Sequence, residues 1–205
     1  MDFSYPVETR RSAGSRGFSL VELMVVVVII GLLAAIALPQ VASQMRERRA
    51  SHAAQQIALI YRNARLRAMG RGFAVLVNYN STTGVFRVLE TLPAGGQTNC
   101  TPLLPPTCAD TNWALATATR EVETFNPLTS GLYEGVTISA KTQPSNTVAT
   151  DMSVCFTPRG RTFSRLSSAQ PLVPMTGVID FQVGRAGRFQ RHVNVLPNGM
   201  ARVAL

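Results

Sequence analysis

An apolar run near the start of the chain constrains its fold more than any other feature. From Phe18 to Leu38 every residue is apolar or small except Ser19 and Glu22. Those 21 residues, rising about 1.5 Å each, make a helix as long as the roughly 30 Å hydrocarbon core of a bilayer. A secretory signal peptide has a shorter apolar core followed by a small-residue cleavage site. The segment "ALPQVAS" has that composition, but the run is too long and helical patterning continues past it. A plain membrane anchor accounts for the length and not for Glu22. A carboxylate placed in a membrane is costly unless paired, so it points to a function.

The stretch "RGFSLVEL", Arg16 to Leu23, resembles the processing site of type IV prepilins. Gly-Phe is followed by a hydrophobic run with Glu22 as the fifth residue counted from Phe18. The resemblance implies cleavage between Gly17 and Phe18 by a prepilin peptidase on the cytoplasmic side. It also implies N-methylation of Phe18 and a helix kink at Pro39. Residues 1–17 are then a removed leader and residues 18–38 a transmembrane and assembly helix. The leader holds Asp2 and Glu8 against Arg10, Arg11 and Arg16, and its arginines suit a cytoplasmic N-terminus in the inner membrane. Cleavage gives Phe18 a new α-amino group at the edge of the apolar run. An isolated ammonium or carboxylate is costly there and a pair is tolerated. Glu22 is therefore expected to receive the Phe18 amine of a neighbouring subunit and to set the axial register of a helical polymer. No cofactor is expected.

Past the membrane run the pattern stays helical. Gln40 to Met69 lacks Gly and Pro, and Val41, Met45, Ala53, Ile57, Ile60, Tyr61, Ala64 and Ala68 form one apolar stripe at three- and four-residue spacing. The spacing predicts an amphipathic helix over 39–70, stopped at Gly70. The basic run "RERR", 46–49, reads as a solvated helix face or as a contact with headgroups or a neighbouring subunit.

Beyond Gly70 the apolar period becomes two. "FAVLVNYN", the turn "STTG" and "VFRVLE" predict a β-hairpin, and "GVTISA", "SVCFTPRG", "VIDFQVG", "RHVNVLP" and "MARVAL" predict further strands. About 92–130, rich in Pro, Thr, Gly and Asn, is expected to be an irregular insertion, with a short strand near "NWALAT". The expected class is α+β, a pilin-like fold with a long N-terminal helix packed on an antiparallel sheet domain over 71–205. The stretches "IYRNARLRAMGRGFAVLVNYN", "VCFTPRGRTF" and "VNVLPNGMARV" resemble the GspH/FimT group. That resemblance implies a minor pilin of type IV pili or an H-type pseudopilin of type II secretion. Its partners would be other pilins through the N-terminal helix, with the peptidase and methylase acting on it.

Cysteines fit an exported domain. Cys100 and Cys108 bracket "TPLLPPT" and are expected to pair, closing a small loop worth about 2–3 kcal/mol in the chain-entropy model. Cys155, between Val154 and Phe156 in a strand, is expected to pack as a free thiol. Three spread cysteines and two distant histidines show no metal spacing. His52 and His192 have no nucleophile motif beside them, and "GRAGR" lacks the Lys-Ser/Thr and helix of a phosphate loop, so no enzyme activity is expected.

The net charge is +9, nearly all of it from arginine, since Lys141 is the only lysine. An arginine-dominated surface leaves anion binding open. DNA-binding members of the GspH/FimT group resemble one another in a Gly-Arg-x-Arg turn, and here "GMAR" keeps only Arg202. Upstream, "GRAGRFQR" supplies Arg185, Arg188 and Arg191. If the flanking strands pair, these arginines are expected to gather near Arg202, giving an alternative reading as a DNA-binding minor pilin in natural transformation.

Overall fold

Strong helix formers fill 44–71, and a single helix, α1, Leu20–Arg71, opens the computed structural model. The structure describes residues 17–92, 107–109, 112–114, 118–129, 131–184 and 190–204, without the side chains of 37–40, 42 and 43. The helix runs through Gly70 and ends one residue beyond it, at Arg71. Gly72, at φ 74°, takes the left-handed cap position, and its N–H donates to the Ala68 carbonyl at 3.1 Å. Pro39 lies within α1, and its side chain falls outside the described residues.

The chain divides into two compact units, Met1–Ser43 and Gln44–Leu205. In the first, every described side chain from Gly17 to Ile36 is exposed. Among the described residues no helix is long and apolar enough to cross a membrane. The side chains of the last residues of the apolar run, 37–38, lie outside that set.

The second unit carries two antiparallel sheets on the inner face of α1. The first joins β1 (Val75–Asn80), β2 (Val85–Thr91), β3 (Thr119–Phe125), β6 (Asp151–Phe156), β7 (Thr162–Arg165) and β8 (Val173–Pro174). Its strand order is β3-β2-β1-β6-β7-β8. The second joins β4 (Thr137–Gln143), β5 (Thr147–Val148), β9 (Val178–Gly184), β10 (Gln190–Val195) and β11 (Ala201–Ala204). Its order is β11-β10-β9-β4-β5. The α+β class predicted from sequence is observed, with two sheets in place of one.

Alternation along the strands builds the core. Val75, Val77 and Tyr79, Met152, Val154 and Phe156, and Ile179, Phe181 and Val183 are buried against the helix. The helix presents Ala53, Ala54, Ala64 and Ala68, small enough for close approach, with Ile57, Ile60 and Tyr61 filling the space between the sheets. Tyr61 and Phe181 lie 5.5 Å apart, and Phe181 meets Tyr79 edge-on at the same separation.

The opposite face of the first sheet has its own apolar cluster: Ala74, Leu76, Cys108, Trp113, Cys155 and Leu172. Here the expected cysteine pairing is corrected. Cys108 is bonded to Cys155 across 47 residues of chain. The same strand alternation that sends Val154 and Phe156 toward α1 turns Cys155 to the other face, where Cys108 and Trp113 cluster with it. Cys155 is therefore not a free thiol, and Cys100 lies outside the described residues. The insertion is also less irregular than expected. It contains β3 at Thr119–Phe125, while 115–117 of the expected "NWALAT" strand fall outside the described residues.

A buried carboxylate ties the end of α1 to this sheet. Glu90, on β2, has 2% of its side chain exposed and meets Arg67 at 2.9 Å, Arg120 at 2.9 Å and Arg71 at 3.3 Å. Burial alone raises its pKa, but hydrogen bonds from Arg120, Arg67 and Arg71 outweigh that and hold it below the usual range. A lowered folded-state pKa stabilises the fold above the unfolded pKa, and this contribution is lost as pH falls through the folded value. The three arginines are a third to half exposed, so water screens the pairs. Glu90→Gln is expected to cost about 2 kcal/mol at neutral pH. In urea melts the gap between variant and parent should close on acidification below about pH 4; a gap independent of pH would exclude this role for the carboxylate.

Candidate functional site

The candidate site is the start of α1. The Leu23 N–H donates to the Ser19 carbonyl at 3.2 Å, which makes Ser19 the N-cap and Glu22 the third helical residue. Ser-x-x-Glu is the capping-box pattern, in which each side chain serves the other's backbone N–H. Phe18 and Leu23 stand at the two positions of a hydrophobic staple. Sequence reasoning missed Ser19, although the three-residue spacing to Glu22 was the available signal. A carboxylate in the first turn also meets the positive end of the helix dipole. Glu22 is thus suited to this helix end before any partner arrives.

What surrounds it is apolar and uncovered. Phe18 is 82% exposed and Leu20 73%, and the valines, isoleucines and leucines that follow through Ile36 are all exposed. Scattered apolar residues on a surface need no explanation, but a continuous apolar helix surface of this length marks contact with lipid or with other chains. Gly17 and Phe18 precede the helix and are both exposed, and a Cβ built at Gly17 would meet nothing within 4 Å.

The arginines expected to gather do not do so where they are described. Asn194 pairs with Arg202, so those two share a face, whereas Arg191 lies on the face of Val193 and Val195, which are in the core. Arg191 and Arg202 therefore sit on opposite faces of the second sheet. Arg191 is bonded to Glu47 of α1 at 3.1 Å. Arg185 and Arg188 lie outside the described residues. Among the described residues no group of three or more His, Cys, Asp or Glu is arranged to hold a metal.

With this geometry in place, comparison with known proteins assigns a class to the N-terminal segment. The family model of the prokaryotic N-terminal methylation motif matches residues 12–38. Two crystal forms of the type IV minor pilin FimU of Pseudomonas aeruginosa PAO1 are similar in structure. One is 13% identical with a TM-score of 0.43, covering 76% of this chain and 92% of that one. The other is 15% identical with a TM-score of 0.44, covering 78% and 89%. No curated protein sequence matches the chain.

Proposed function

We propose that this chain is a prepilin-like structural subunit, cut between Gly17 and Phe18, methylated on Phe18, and built by α1 into a type IV pilus or type II secretion pseudopilus as a minor component. Before assembly residues 18–38 lie in the inner membrane and the β unit lies in the periplasm. The carrying observation is the methylation motif over 12–38, set on a helix whose described side chains through Ile36 are all exposed. The buried Cys108–Cys155 bond agrees with an oxidising compartment. Other pilins are the partners, and the peptidase and methylase act on the chain as their substrate.

Co-expression with a prepilin peptidase tests the reading. Intact-mass measurement of the membrane fraction should find a chain starting at Phe18 and carrying one added methyl group. Gly17→Ile should leave the full-length chain uncut. A parent chain that retains residues 1–17 alongside an active peptidase would exclude it.

A further inference from the structure

The basic stretch just past the apolar run is not used by the assembly reading. Arg46 and Arg48 are exposed and Arg49 half-buried. None of the three has an ion-pair or hydrogen-bond partner among the described residues. The acidic residue among them, Glu47, is already matched by Arg191 at 3.1 Å. Residues 46–49 with Arg191 thus carry four guanidinium groups and one carboxylate, and the patch keeps a surplus of positive charge.

The arrangement of these charges selects among partners. At about 100° per residue, Arg46 and Arg49 stand roughly 60° apart on one side of the helix and Arg48 lies about 100–160° from them, while Arg191, bonded to Glu47, supplies the remaining side. A neighbouring protein or a DNA groove meets one side of a helix, whereas a headgroup layer meets all sides at one level. Arg46 also follows Leu38 by eight residues. Eight residues are about 12 Å of helix, a distance at which a long arginine side chain reaches a headgroup layer along its apolar stem.

Resting on the membrane reading above, we propose that Arg46, Arg48 and Arg49, with Arg191 held beside them by Glu47, form a collar that binds the phosphates of anionic phospholipid headgroups in the outer leaflet of the inner membrane. The collar holds the subunit at that leaflet before assembly. Cleavage at Gly17 removes Arg10, Arg11 and Arg16, so the processed chain keeps its span-flanking arginines on the outer side alone.

The test reconstitutes the full-length chain in phosphatidylcholine vesicles containing a trace of spin-labelled phosphatidylglycerol or spin-labelled phosphatidylcholine. Electron spin resonance then measures the fraction of each lipid held at the protein. Juxtamembrane attraction of about 1 kcal/mol per basic residue gives a preference for phosphatidylglycerol of about fivefold or more at low salt. It should shrink strongly at about 1 M salt, where the screening length is about 3 Å. The triple variant R46Q/R48Q/R49Q should fall to the residual preference set by the leader arginines and Arg191. The corresponding triple lysine variant should keep the parent's preference.

A second variant, R10Q/R11Q/R16Q, isolates the collar from the leader, and its preference should persist even if the glutamine collar variant fails to fold. Loss of preference in that leader variant overturns the collar, as does equal preference in the parent and the glutamine collar variant. A chain that cannot be reconstituted in bilayers at all refutes the membrane reading instead. Phosphate also occurs in DNA. Binding of a short duplex to the detergent-solubilised chain through the same three arginines would reassign the patch and overturn the lipid proposal; no such binding supports it.

Discussion

Cys155→Ala is expected to lower the stability of the β unit by about 4 kcal/mol, the chain-entropy value for a closed loop of 47 residues. For a protein of this size that is a fall of roughly 8–16 °C in melting temperature. Cys108→Ala should cost the same, and the double variant no more, because one bond is lost in each case. Cys100→Ser should melt with the parent. The same bond holds Trp113 over the outer face of the first sheet, where its indole N–H donates to the Cys108 carbonyl at 3.1 Å. Trp113 is the only tryptophan, so its emission should shift to the red in both single variants and not in Cys100→Ser. Thermal melts followed by that fluorescence, with non-reducing peptide mapping, decide the pairing. A Cys100→Ser chain that melts as early as Cys155→Ala would reverse it.

The cysteine result shows where sequence reasoning stopped. Proximity along the chain favoured Cys100 with Cys108, since "TPLLPPT" is short enough to close. The competing signal was also in the sequence: Cys155 alternates with Val154 and Phe156, and so must leave the face they share. What the sequence lacked was the cover on that other face, because an insertion without period carries no sign of where it folds back. Strands with strong alternation were legible for the same reason. "VIDFQVG" is β9 residue for residue. β3, "TREVETF", was not legible, because most of its side chains are exposed at a sheet edge and no apolar alternation marks it. Glu90 with Arg67, Arg71 and Arg120 was invisible too, since tertiary packing alone brings those four residues together. At the functional end the position is reversed. Under the proposed function Gly17, Phe18 and Glu22, which sit in one short stretch, would be recognised locally, by a processing enzyme or a helix end, so their meaning would be carried by sequence order.

Glu22→Ala is expected to leave cleavage and methylation of Phe18 intact and to reduce incorporation into a pilus or pseudopilus more than a hundredfold. The magnitude follows from the cost of leaving one partner of a buried pair alone, about 3–5 kcal/mol, here the Phe18 ammonium packed among neighbouring apolar helices. The capping-box position of Glu22 offers a second route to a defect, because a frayed helix end would also assemble poorly. Ser19→Ala separates the two. It removes the N-cap, worth about 1 kcal/mol, while keeping the carboxylate. If Glu22 acts by receiving the amine, Ser19→Ala chains should enter the polymer at a level within about tenfold of the parent, as 1 kcal/mol allows. Pull-down of each tagged variant with the other pilins, or recovery from sheared filaments, measures both. Equal defects in the two variants would place the role of Glu22 in forming the helix end. Normal entry of Glu22→Ala would remove it from assembly altogether.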